Sequence, residues 1–141
     1  MKIKRVVGLD LGEKTLGVAI SDPLLISAQG LKTIRFMKND FNKATKLLKE
    51  LLVDYDIDKF VLGYPLHMNG DLSSSAQRSL NYQDTLINTF KVEVVLWDER
   101  LSSVLVDKLM IDMNMKRNKR KEIIDELAAI NILQGYLDAT K

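Results

Sequence analysis

From Ile3 to Leu11 the chain is rich in Val, Leu and Ile; Gly12 and a polar Glu13-Lys14 pair interrupt it, and strand character resumes from Thr15 to Ile20. That is a hairpin signal. A third short strand is expected at Leu31 to Phe36. Asn39 or Asp40 can then cap a helix that carries Phe41, Ala44, Leu47, Leu48, Leu51 and Leu52 at helical spacing and ends near Tyr55. Lys59 to Tyr64 reads as a buried strand and Pro65 to Asp71 as a loop. The hydroxyls of Ser73 to Ser75 start a helix that reaches about Phe90, and Val92 to Trp97 is the fifth strand. A helix over about Ser102 to Met113, a polar stretch over Asn114 to Lys121 and a last helix from about Lys121 to Leu137 complete the pattern.

Three strands followed by alternating helices and strands point to an α/β fold: a mixed five-stranded sheet with helices on its faces. Strands near Val6, Phe60 and Val94 are expected to be parallel neighbours. Ligands of open α/β sheets collect at the carboxyl ends of such strands, where this chain carries Asp10, Gly63-Tyr64 and Asp98-Glu99.

Composition narrows the chemistry. At 141 residues, 46% hydrophobic and 28% charged, the sequence fits one ordinary globular domain spanning 1–141. It has no Cys, so any metal must be held mainly by oxygen, and a reducing cytoplasm is the expected setting. Its apolar stretches are far below membrane-spanning length, and its basic start runs straight into strand, so neither export nor a membrane partner is expected. The net charge of +2 is too small to announce a nucleic-acid partner, which moves attention to where the charges sit.

Asp10 lies inside Val6-Val7-Gly8-Leu9-Asp10-Leu11-Gly12, where its neighbours want burial. An ionised carboxylate is expensive there unless a cation or donors compensate it, although an Asp can also simply start the turn at Gly12. Asp125 shares a helical face with Ala128, Ala129 and Ile132, the stripe that should pack on the sheet. Its plain alternative is an acid favoured by the helix dipole in the first turn. Asp98-Glu99-Arg100 ends the fifth strand, so one acid should project toward the same sheet edge, and Glu99 is the better candidate. Jointly, Asp10, Glu99 and Asp125 form the oxygen-only set that Mg²⁺ or Mn²⁺ requires. Two cations about 4 Å apart could activate a water and stabilise the leaving oxygen of a phosphodiester, with no catalytic Ser, Cys or His.

Together these segments resemble the YqgF/RuvX family of small bacterial proteins, distant relatives of the RuvC Holliday-junction resolvases. The resemblance rests on Gly8-Leu9-Asp10-Leu11-Gly12 with Gly17-Val18-Ala19-Ile20-Ser21-Asp22, on Gly63-Tyr64-Pro65-Leu66 with Met68-Asn69-Gly70, on Asp98-Glu99-Arg100-Leu101-Ser102, and on Asp125-Glu126-Leu127-Ala128-Ala129 leading to Ile132-Leu133-Gln134. It implies a ribonuclease H-like fold with helices on both sheet faces, a catalytic and metal-binding triad at Asp10, Glu99 and Asp125, and Mg²⁺ or Mn²⁺ as cofactor. It also implies a nuclease: one that matures the 5′ end of pre-16S rRNA in ribosome assembly, or one that resolves branched DNA. The rRNA reading is preferred. Members usually carry an Arg near Lys14-Thr15 and a Gly-containing polar stretch where this chain has Asp71 to Ser75, and Asn is common where His67 stands. A lone loop His is more often structural than catalytic, so His67 stays outside the catalytic set.

Lys116, Arg117, Lys119, Arg120 and Lys121 place five cations in six positions, enough to bind several phosphates, although such a run is also an ordinary solvated helix start. Lys14 beside Asp10, Arg100 beside Glu99, and Arg78 early in its helix are nearer the proposed chemistry. Trp97 reads as core and not as a platform for stacking bases. Two rivals differ in class. The glycine-rich hairpin also resembles the phosphate loop of actin-like and sugar-kinase ATPases, but those close two lobes on a nucleotide. A non-catalytic RNA-binding or ribosome-assembly factor would keep the fold and bind through the basic segment without hydrolysis, but the presence of all three acids counts against it. Structured RNA or branched DNA is the expected partner; a symmetric junction calls for a homodimer, whereas trimming one RNA end needs only a monomer.

Overall fold

The computed structural model describes residues 4–65, 74–99 and 117–140, with the backbone alone over 117–125. In chain order its elements are β1 (Lys4–Leu11), β2 (Thr15–Ser21), β3 (Ala28–Arg35), α1 (Phe41–Leu51), β4 (Asp56–Tyr64), α2 (Ser74–Phe90), β5 (Glu93–Asp98) and α3 (Arg117–Ala139). The helix expected over Ser102 to Met113 and most of the Pro65 to Asp71 loop lie outside the described residues.

The strands form one sheet in the order β3-β2-β1-β4-β5. β1 pairs antiparallel with β2 and parallel with β4, and β4 is parallel to β5, as the alternating pattern requires. Strand β1 is central and covered on both sides, which explains its continuous apolar run. Val7, Leu9 and Leu11 face one core with Phe60 and Leu62 of β4, closed by Leu48 of α1 and by Tyr82 and Leu86 of α2. Val6, Ala19 and Val61 face the other, closed by Ala129, Ile132, Leu133 and Leu137 of α3.

Local chemistry sets the element ends. The Asp40 side chain accepts from Lys43 N at 3.2 Å and caps α1, while Asn39 before it takes a positive φ of 62°. That helix ends at Leu51, short of Tyr55, as residues 52–55 turn directly into β4. β3 begins at Ala28, earlier than Leu31, because Ala19 and Ile20 of β2 pair with Gly30 and Gln29 and so draw polar residues into the ladder. α3 begins at Arg117, ahead of Lys121, since the Lys and Arg of that stretch are good helix formers with no Gly or Pro among them.

α3 lies hard against the sheet. A Cβ placed on Gly8 would fall 2.6 Å from Leu133 Cβ and 2.9 Å from the Ala129 carbonyl oxygen, so only glycine lets the helix come this close.

Candidate metal centre

Side chains alternate along a strand, so Asp10 shares with Val6 and Gly8 the face that α3 covers. On that face its partner across β2 is Gly17. On the other side, Leu9 pairs with Leu62, which sets Gly63 of β4 next in register to Asp10. Glycines thus flank the acid on both neighbouring strands. The space left over Gly63 is filled by Glu99: a Cβ there would lie 2.5 Å from Glu99 Oε1 and 2.7 Å from Ile132 Cδ1. Glu99 follows Trp97 by two residues, and Trp97 pairs with Gly63, so the carboxyl folds back from the end of β5 over the bare glycine toward β1.

There the carboxyl groups of Asp10 and Glu99 lie within hydrogen-bonding reach of each other. Two carboxylates at that range bond only by holding a proton between them. Burial is the main force raising both pKa values, because it penalises the charged form. For Glu99 the bond to Asp10, the charge of Asp10 and the charge of Asp98 add to the rise. At neutral pH the pair therefore keeps a proton unless a cation takes its place.

The third acid, Asp125, lies in the backbone-only part of α3, and its side chain is outside the described residues. The helix course is nevertheless informative. Leu137 meets Val6 in one hydrophobic cluster, and Leu133 and Ala129 cover Gly8, so α3 runs antiparallel to β1. One further turn back from Ala129 carries the backbone of Asp125 toward the level of Asp10. Among the described residues no group of three metal-ligating side chains is complete.

The cations expected around the site are placed unevenly. Lys14 is exposed on the turn between β1 and β2. Arg78 donates from Nη2 to Glu13 Oε1 at 3.4 Å on that same turn, with Lys38 Nζ 3.9 Å from the other Glu13 oxygen. Arg117, Lys119, Arg120 and Lys121 belong to the first turns of α3, whereas Arg100, Lys116 and His67 lie outside the described residues. Trp97 is partly buried against the cluster under α3 and packs edge-on to Tyr136, with ring centroids 6.2 Å apart. Sequence reasoning placed Gly63 at the rim without giving it a role, and gave Glu13 none beyond the turn. Gly63 matters by what it lacks, and Glu13 holds Arg78; the glycine at a strand end beside two acids was the available signal for the first.

Proteins named "Putative pre-16S rRNA nuclease" are 47% identical over 135 residues in Bacillus subtilis, covering 96% of this chain and 98% of that one. In Desulfitobacterium hafniense the identity is 46% over 134 residues, with 95% and 92% covered. Thermus thermophilus RuvC in complex with a Holliday junction substrate superposes with a TM-score of 0.57 at 15% identity, covering 97% of this chain and 95% of that one. The Fowlpox virus resolvase in its substrate complex does so with 0.59 at 14% identity, covering 96% and 98%. At those identities the likeness speaks for the fold, which is ribonuclease H-like. A family model described as "RuvX: Holliday junction resolvase" matches residues 4–139, and the chain belongs to that family.

Proposed function

We propose that the chain is a divalent-metal-dependent nuclease that hydrolyses RNA phosphodiesters, acting in 5′-end maturation of pre-16S rRNA. The observation that carries this reading is the Asp10–Glu99 carboxyl pair, buried over Gly63 at the carboxyl ends of parallel strands. An acid pair whose chief partner is itself destabilises the fold at neutral pH, and proteins keep such strain where function uses it. The donors fit Mg²⁺ or Mn²⁺: both are carboxylates, and the chain has no Cys to favour a softer metal. Asp10, Glu99 and, from α3, Asp125 are the ligands.

When bound, the cations activate water and neutralise charge on the phosphate. The chain's own contribution is placement. Asp10 is fixed by the central strand, and Glu99 is fixed by the space above Gly63. Both must release their shared proton to bind metal, so affinity rises with pH. Lys14 and Arg78 on the adjoining turn, Arg100 beside Glu99, and Lys116, Arg117, Lys119, Arg120 and Lys121 at the start of α3 supply phosphate contacts. The curated relatives carry the rRNA-nuclease name, which supports RNA as substrate. The description of the family model favours a second reading, cleavage of four-way DNA junctions.

One assay tests both. A 5′-extended small-subunit rRNA precursor and a four-way DNA junction are incubated with Mg²⁺ or Mn²⁺ and with wild type, Asp10→Asn, Glu99→Gln or Asp125→Asn. The expected result is cleavage of the precursor by wild type alone, with all variants still binding RNA. Junction cleavage without RNA cleavage would select the second reading, and equal cleavage by Asp10→Asn would end both.

A further inference from the structure

On the sheet face that α1 and α2 cover, opposite to the one Asp10 faces, the structure contains a recess of about 550 Å³ between the start of α1 and the outer face of α2. We propose that this recess is a nucleobase subsite, which holds one unpaired base of an RNA strand that rounds the sheet rim at the β1–β2 turn; the inference rests on the nuclease reading above.

Its position comes first. Asp10 and Glu13 are three residues apart around the β1–β2 turn, a reach of about 10 Å at most. Glu13 binds the recess on two sides: its carboxylate accepts from Arg78, and its carbonyl oxygen accepts from Asn39 N at 2.8 Å. Arg78 and Asn39 both line the recess. The turn that follows β1 is thus tied to two residues that line this space, and a strand that rounds the rim from Asp10 comes within their reach.

Its lining has the chemistry of base recognition. Gln77 and Asn81, one helical turn apart on α2, are exposed and bonded to each other, with Gln77 Nε2 donating to Asn81 Oδ1 at 3.2 Å. That bond fixes both amides and leaves the Gln77 carbonyl oxygen and the Asn81 amide N–H available as an acceptor and donor side by side. The Watson–Crick edge of every base offers a matching pair, and single-stranded RNA is read by such edges together with aromatic contact. Phe41 supplies the aromatic contact. It is half-buried and held by Phe36 at 5.9 Å and by Tyr82 at 6.1 Å between ring centroids. The Tyr82 hydroxyl is in turn bound to Thr45 at 3.0 Å, so the apolar side of the recess is rigid. A purely apolar ligand would strand the amides, and a bare phosphate would leave Phe41 unused. A base attached to its phosphate, with Arg78 alongside, uses both.

The test compares a five-nucleotide single-stranded RNA with the same oligomer lacking one base, in solutions without divalent metal. Side-chain amide resonances of Asn39, Gln77 and Asn81 are followed by NMR, and steady-state cleavage of the rRNA precursor is measured for Gln77→Ala and Asn81→Ala. Both residues are exposed on a helix, where alanine is well tolerated. The expected result is that the amides shift with the intact oligomer and not with its abasic form. In addition, KM should rise about tenfold in each variant with kcat within about twofold, since a lost base contact weakens binding without touching the acids. Amides that stay still while resonances around Asp10 move, with unchanged KM, would overturn the subsite and leave the nuclease reading intact. Base-dependent shifts in a protein that cleaves no RNA would overturn the assignment to the substrate strand of a nuclease, and with it the nuclease reading.

Discussion

Two aspartates, each at the end of a strand of the first hairpin, meet opposite fates. Asp22 follows β2 and is surrounded by donors: its carboxylate accepts from Ile26 N and Ser27 N at 2.7 Å and from Leu24 N at 3.1 Å. Those amides, Ser27 foremost, hold its pKa below the usual carboxylate range. Asp10, near the end of β1, has Glu99 as its hydrogen-bonding side chain, and burial drives its pKa the other way. The first acid is satisfied by its own backbone and shapes a loop. The second is made tolerable only by a proton or a cation, which is why we propose it as a metal ligand, whereas Asp22 shapes the scaffold.

The sharpest way to break this contrast is to neutralise one member of the pair. Glu99→Gln should lower cleavage by at least about a hundredfold, more than loss of an outer-shell metal partner costs. It should also raise thermal stability in chelator, because an amide removes a buried acid facing another. Saturating Mn²⁺, at about a hundred times its Kd, should stabilise wild type by about 2.7 kcal/mol and the variant by much less. A calorimetric scan with and without metal measures both; a variant less stable than wild type in chelator would show the pair to be structural.

Gly63→Ala attacks the same arrangement from beneath. The new Cβ would meet Glu99 Oε1 at 2.5 Å and Ile132 Cδ1 at 2.7 Å, and Ile132 is wedged in the core under α3. Overpacking of this kind costs about 1–3 kcal/mol. Glu99 is the more movable neighbour, so activity should fall further than denaturant stability. Loss of stability with full activity would mean that Glu99 need not sit over the glycine.

How much of this was legible follows the range of the forces involved. The strands, their parallel order and a cap at Asn39 or Asp40 were readable because periodicity and caps are local signals. So was the proximity of Asp10 and Glu99 to one rim, since strand ends in an α/β sheet converge by topology. What failed to show was set by distant partners. Gly30 reads as a loop residue, yet it is in β3, where a Cβ would sit 3.2 Å from Ile130 Cδ1, 100 residues away in sequence. The Gln134 side chain reaches back to accept from Ala28 N at 2.9 Å and donates to Ile26 O at 3.0 Å, which anchors the Asp22 loop to α3. No local pattern announces such a clamp. The pairing of Arg78 with Glu13 is equally invisible, because either residue alone reads as solvated charge.

The pH dependence of stability separates the acids with a smaller effect but opposite signs. In chelator, Glu99 is pushed up to about 9 and Asp10 also rises, so the folded chain keeps protons that the unfolded chain has released. Stability contributed by this pair therefore declines as pH climbs from the ordinary carboxylate range toward 9. Saturating Mn²⁺ should flatten or reverse that decline by taking the proton's place. A decline that Mn²⁺ leaves untouched would separate metal binding from the pair.

Asp22 supplies the weakest effect and the clearest control. Its pKa is lowered, so its contribution is complete above the ordinary carboxylate range and vanishes as pH falls through the lowered value. Asp22→Asn keeps one oxygen acceptor for the loop amides but loses the charge that strengthens those bonds, so the variant should melt slightly lower than wild type at neutral pH and equally at strongly acidic pH. Its response to Mn²⁺ and its cleavage rate should match wild type, because the loop lies beyond the opposite end of β2 from Gly17, the residue paired with Asp10. If Asp22→Asn instead lost its metal response, the distinction between an acid satisfied by amides and an acid awaiting a cation would fail.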